Sequence, residues 1–295
     1  MQFRLRPFDM EYPTTAREAV EMRDGSHSSC FLTGGTHLVP TWRTAHRPPQ
    51  LVINLKRICM WDRPETTAGL WLNPVTTVAD LRGVLPVSAA FGGLGAALSE
   101  FGSPLVQPLA TVAGNLAAAQ SDSTLAAPLI ALDTRIFYDS IVGPGMIRAD
   151  DLFEKPGLTT LPHGALITGI EVPAPPESAR GEHLAIRTGL ATSTPVVAAS
   201  AVVEIDPEGR VTGGRLSIAH ATPTPREVWS AREILGSGSR LSEIAGALGD
   251  AAVDAVEPDD DRWATARYRQ RMARVVTERL VRSISHSEAE MGAGR

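Results

Sequence analysis

The chain has 295 residues, 43% of them hydrophobic and 21% charged, with a formal net charge of −5. That is the length of about two ordinary domains and the balance of a globular protein. An acidic excess excludes a general nucleic-acid binder, whose phosphate contacts need a basic surface. Aromatics make up only 5%, so the core must be built from Ala, Val, Leu and Ile. Lys56 and Lys155 are the only lysines among 28 basic residues, which reads as the codon bias of a GC-rich genome. No apolar run reaches the roughly 18 residues that span a bilayer. The opening MQFRLRPFDMEY lacks the apolar stretch of a secretory signal, so a cytoplasmic location is expected.

In chain order, residues 14–22 have helical spacing, with Thr14 or Thr15 as cap and Glu18 in the first turn. A strand over Cys30–Leu32 stops at Thr33-Gly34-Gly35-Thr36, and a second is expected over Leu51–Leu55. Leu70–Leu72 reads as a strand and Thr77 as the cap of a helix through Val84. Residues 88–101 have helical spacing, and 124–132 read as a buried helix. Ile136–Tyr138 and Ile167–Val172 read as strands around a Gly-, Pro- and Asp-rich loop. Pro173–Ser178 is the clearest boundary, since proline removes donors and fixes an extended chain. Beyond it, Pro195–Ile205 and Val211–Ala219 form a strand pair turned by Asp206–Gly209. Helices are predicted over 226–235, 241–248 and 262–285, the last with Tyr268, Met272, Val275, Val276, Leu280 and Ile284 on one face. The tail after Ser285 is expected to fray.

Several chemistries are missing. The two cysteines, Cys30 and Cys59, cannot supply the four thiolates of an iron–sulfur cluster; they are expected to be buried or half-buried free thiols. There is no Gly-x-Gly-x-x-Gly, no P-loop, no paired metal-ligand spacing and no Gly-x-Ser-x-Gly elbow. What remains is two glycine segments, Leu32-Thr33-Gly34-Gly35-Thr36-His37 and Thr111-Val112-Ala113-Gly114-Asn115, each expected at the end of a strand. Without Cβ atoms, such loops expose consecutive amides as an anion nest, and threonine adds a hydroxyl donor. Each is an ordinary turn in isolation. Together they have the makings of a clasp around one pyrophosphate.

The string Phe31–Pro40, with Arg47-Pro48 and Leu51–Leu55, resembles the first FAD loop of the molybdenum hydroxylase flavoproteins. These are the medium subunits of the carbon monoxide, nicotine and xanthine dehydrogenase type. Gly102-Ser103-Pro104 leading into Ala110–Ala117 resembles their second loop. Ala221–Arg226 and Ala266–Arg271 resemble markers of their C-terminal domain. The resemblance implies an α+β protein: the two-subdomain FAD-binding fold of the vanillyl-alcohol oxidase (PCMH) type, followed by a small α+β domain. The implied division is 1–58 and 59–173 for the subdomains, a linker over 174–182, the C-terminal domain over 183–288 and a tail over 289–295. FAD would lie between the parts. An iron–sulfur small subunit, fed by a molybdopterin large subunit, would supply electrons, and an external acceptor would remove them. Molybdopterin and the [2Fe-2S] clusters are then expected only on the partners, which agrees with the cysteine count.

Carried over by position, the implied cofactor contacts are Leu32, Thr33, Gly34, Gly35, Thr36, Thr111, Val112, Ala113, Gly114 and Asn115, with Phe101 and Ile167 as apolar contacts. Four positions depart from the family. His37 replaces an Asp, Asn or Ser, and Ala113 the first Gly of Gly-Gly-Asn. Thr124 replaces an acid, with Asp122 nearby, and His183 falls where a Lys often contacts the flavin. Ala113 requires a backbone conformation that alanine tolerates, or a distorted loop. Two other readings are a stand-alone flavin oxidoreductase, with His37, His183 and His220 as its candidate groups, and a degenerate scaffold subunit that has lost its cofactor.

Overall fold

The computed structural model describes residues 5–26, 28–42, 48–63, 69–85, 88–189 and 194–293. The first unit orders β1 (Asp9–Glu11), α1 (Ala16–Asp24), β2 (Ser29–Leu32), α2 (Leu38–Trp42) and β3 (Leu51–Asn54). β3 lies between β1 and β2 and is parallel to both, with Leu32 opposite Asn54. Thr15 caps α1 by accepting from the Glu18 amide, while the Glu18 carboxylate accepts from the Thr14 amide. Buried Ala19 and Val20 then pack with Ile53, Leu55 and Leu166.

The second unit comprises β4 (Gly69–Leu72), α3 (Val78–Val84), α4 (Gly92–Glu100), α5 (Val112–Ala117), α6 (Ala126–Ala131), β5 (Arg135–Asp139), β6 (Gly145–Arg148), β7 (Phe153–Lys155), β8 (Leu158–Thr159) and β9 (Leu166–Pro173). Its main sheet is antiparallel in the order β4-β9-β5-β6. Apolar side chains of α3–α6 and this sheet share one core.

The third unit is an antiparallel sheet in chain order: β10 (Ala179–Arg187), β11 (Pro195–Ile205), β12 (Val211–Ala219) and β13 (Arg226–Glu227). It is followed by α7 (Ala231–Leu235), α8 (Leu241–Ala255) and α9 (Ala266–Ala293). Strand alternation gives β11 two buried faces. Val197, Ala199, Ala201 and Val203 join the core under α8 and α9. Val202 packs on the core of the second unit instead, and Ser217 Oγ donates to the Ala127 carbonyl of α6 at 2.6 Å. Close contact here depends on missing side chains: a Cβ on Gly181 would lie 2.0 Å from the Ala90 carbonyl oxygen, and one on Gly93 2.7 Å from that of Glu182.

Several expectations change. β1 and β6 carry no periodicity long enough to reveal them, and β10 begins inside the stretch read as a linker. The helix expected over 226–235 is a two-residue strand followed by α7, because Arg226 and Glu227 pair with Ile218 and Ser217. α8 continues to Ala255, beyond the expected Leu248, and α9 runs from Ala266 to Ala293 rather than fraying after Ser285. Among the described side chains of α9 the buried positions are Arg269, Ala273, Val276, Thr277, Leu280, Val281 and Ile284, whereas Tyr268 is exposed. Cys30 is half-buried as expected, but Cys59 is exposed. Residues 43–47, which include part of the Arg47-Pro48 motif, lie outside the described residues.

Candidate cofactor site

The first glycine loop follows β2 directly. Gly35 adopts φ +69°, the left-handed region that favours glycine, and its carbonyl accepts from the Val39 amide at 3.0 Å to start α2. Gly34 passes so close to the 102–110 segment that an added Cβ would lie 1.9 Å from the Leu109 carbonyl oxygen. The first loop therefore reaches the second only because residue 34 has no side chain. Among the described residues, the amides of Gly34, Gly35, Thr36 and His37 donate to no protein acceptor.

The second segment does not end a strand, as expected, but opens α5. Thr111 is the cap, its Oγ1 accepting from the Gly114 amide at 3.0 Å. Its backbone is locked to the start of α3: the Val78 amide donates to the Ala110 carbonyl (2.9 Å) and the Val112 amide to that of Thr76 (3.1 Å). Gln107 ties the approach down by donating to the Phe101 carbonyl at 2.9 Å and accepting from Arg82 at 3.1 Å. Ala113 sits in ordinary helical backbone within α5 and outside the positive-φ region, so alanine is tolerated without distortion.

The two loops meet. Thr33 Oγ1 and Thr111 Oγ1 are 2.9 Å apart, a hydrogen bond between residues remote in sequence. They flank a cleft of about 550 Å³, within the range of about 300–1,000 Å³ usual for small-molecule sites. Of the residues expected at the cofactor, Thr33, Gly34, Gly35, Thr36, His37, Phe101, Thr111, Ala113, Gly114, Asn115, Asp122 and Ile167 all line it. Phe101 and Ile167 also belong to the core behind it. Asn115 Oδ1 accepts from Ser123 Oγ at 2.7 Å, which leaves its NH₂ as the half able to donate to a ligand.

Leu32, Val112, Thr124 and His183 are not among the lining residues. Val112 is fully buried in the core. His183 faces the seam between the second and third units, with Nδ1 2.7 Å from Ser200 Oγ and a buried Nε2 that has no partner among the described residues. Burial pushes its pKa down to about 4 and that of the neighbouring His220 to about 3, so both imidazoles are neutral at pH 7. Sequence reasoning missed the opposite wall, formed by Arg23, Cys30 and the stretch from Leu158 to Leu166. Only tertiary packing brings that stretch to β2, and no local motif marks it. Cys30 stays a thiol there, since burial pushes its pKa up to about 11.

Residues 6–175 match the family described as the FAD binding domain in molybdopterin dehydrogenase. The chain belongs to this family. Over 271 residues it is 25% identical to the nicotine 6-hydroxylase medium subunit of Paenarthrobacter nicotinovorans, covering 91% of this chain and 94% of the relative. It is 23% identical to the carbon monoxide dehydrogenase medium chain of Afipia carboxidovorans, over 93% and 95% of the two chains. Its fold matches a chain of the CO dehydrogenase structure from Oligotropha carboxidovorans with TM-score 0.87 at 21% identity, covering 95% and 98%. It also matches one of quinoline 2-oxidoreductase from Pseudomonas putida 86 with TM-score 0.85 at 18% identity, covering 96% and 99%. The protein is an FAD-binding medium subunit of the molybdenum hydroxylase family, a component of oxidoreductases. The cleft fits FAD chemically: undonated amides for a diphosphate stand beside apolar walls for flat rings. Among the described residues, no helix is long and apolar enough to cross a membrane.

Proposed function

We propose that this chain is the electron-transfer subunit of a heteromeric molybdenum hydroxylase, cytoplasmic and organised as the subdomains and C-terminal domain implied by its sequence. An iron–sulfur small subunit would deliver electrons drawn from substrate by a molybdopterin large subunit, and an external acceptor would take them. The observation that carries this reading is the Thr33–Thr111 contact, because it brings two amide-bearing loops to one cleft. FAD supplies the redox chemistry when bound, and the protein supplies position and electrostatics.

The residues divide that work. Backbone amides of Gly34 to His37 and of Ala113 would hold the diphosphate, with the side-chain NH₂ of Asn115 as a further donor. Phe101 and Ile167 would exclude water from one ring face, with the flavin toward the third sheet. His183 and His220 are neutral, buried and absent from the cleft lining, so neither reaches a substrate there as the proton-abstracting group of a stand-alone oxidase.

Two measurements test the proposal. Titrating the purified full-length chain with FAD should show one site per chain; no binding would favour a scaffold that has lost its cofactor. In the intact complex, flavin absorbance should bleach when the molybdenum substrate is added. Flavin reduction by substrate with this polypeptide alone would overturn the electron-transfer role.

A further inference from the structure

Arg23 closes the last turn of α1 and lines the cofactor cleft, half-buried. Its guanidinium is pinned on one side: Nη1 donates to Ser29 Oγ at 2.8 Å and to the Ser26 carbonyl at 3.3 Å. Among the described residues, Nε and Nη2 have no acceptor, and no carboxylate forms an ion pair with Arg23. The side chain is further confined by the loop over it, since a Cβ on Gly164 would lie 3.5 Å from Arg23 Cγ. Neither Nε nor Nη2 is among the buried side-chain atoms left without a partner, so water satisfies this edge until an acceptor in the cleft takes its place.

Its place in the fold says which part of a dinucleotide that would be. α1 packs on β2, β3, β5 and β9, whereas α4, which ends at Phe101, packs on β10 and β11. Arg23 thus stands on the side of the cleft built by the first sheet, and Phe101 on the side next to the third. With the diphosphate on the glycine loops and the flavin toward the third sheet, the group reaching Arg23 is the adenosine half.

We propose that Arg23 is a cofactor-binding residue whose free guanidinium edge donates to ring nitrogens or ribose oxygens of the adenosine moiety of FAD. This rests on the FAD reading above. Cys30 and Phe31 form the adjoining wall, and Cys30, as a neutral thiol, offers no competing charge.

The test uses the flavin-free full-length chain and its Arg23→Gln variant, titrated with FAD and with FAD in competition with ADP or FMN. Thermal melting without ligand serves as the structural control. The variant should lose about tenfold in affinity for FAD and for ADP, as expected for a charge-assisted hydrogen bond. Its FMN competition and its melting temperature should stay at wild-type values. Equal loss for ADP and FMN together with a lower melting temperature would mean that Arg23 only caps α1, and would overturn the proposal. So would unchanged FAD affinity, or failure of ADP to compete on the wild-type chain at millimolar concentration. A wild-type chain that takes up no FAD at all would instead defeat the cofactor reading itself.

Discussion

Two places where the units of this protein meet are built on opposite terms. At the candidate cofactor cleft, backbone amides and a guanidinium edge have no protein partner among the described residues. At the seam between β6 and β13, charge is closed on itself. The Glu227 carboxylate, with no exposed side-chain surface, takes a bidentate pair from Arg232 (2.6 and 2.9 Å) and a bond from Arg215 at 3.0 Å. Arg215 and Arg148 both grip Asp133, at 2.7 and 2.8 Å, and Arg148 also reaches Asp150 at 3.2 Å. Asp133 adopts φ +57°, just past α6, which brings its carboxylate between the two arginines. Three arginines and three acids here find their counter-charges in one another. Where polar groups are saturated the seam is a fastening; where they are left open, it is a site.

The contrast can be broken at either end. The largest loss of stability is expected from Glu227→Leu, which leaves Arg232 without its bidentate partner and Arg215 with Asp133 alone. Removing one member of a buried ion pair costs about 3 kcal/mol. Urea unfolding should show it, while FAD affinity of the folded fraction changes little. If affinity falls as steeply as stability, the seams are not independent.

Gly34→Ala should do the reverse. Its Cβ has no room against the Leu109 carbonyl, so the loops must part at a cost of about 1–3 kcal/mol. FAD affinity should fall by tenfold or more, with the Thr33–Thr111 bond lost. Calorimetric titration of the variant would show whether the loops bind as a unit.

The most gradual effect is one of pH. His183 and His220 are held neutral, at about 4 and about 3, against an ordinary value of 6.5. Below pH 6.5 the unfolded chain therefore binds protons that the folded one refuses. Stability from this source is complete above pH 6.5 and falls as the pH drops toward 4, by on the order of 1–2 kcal/mol per imidazole by pH 5. Denaturation midpoints between pH 7 and 5 should follow that slope, and His183→Gln should flatten it. An unchanged slope in the variant would mean that His183 does not titrate across the seam.

The local devices of the site were legible in the sequence, and the enclosure was not. Thr33-Gly34-Gly35-Thr36 and Thr111–Asn115 announce themselves because a left-handed turn at Gly35 and a helix cap at Thr111 are each made by only a few residue types. Thr77 was legible as a cap for the same reason. Arg23, Cys30 and the stretch from Leu158 to Leu166 carry no such mark; their chemistry comes from being folded against one another.

His183 shows the limit most plainly. Its position in the chain suggested a contact with the flavin, whereas strand alternation and packing on α4 turned it into a buried partner of Ser200. The sequence alone determined the two glycine segments, several of the strands and the lack of a cluster-binding cysteine set, because each depends on residue types within a few positions. Tertiary structure decided which walls face the cleft, which charges are saturated and which stay open, because burial and pairing belong to the assembled chain rather than to any segment of it.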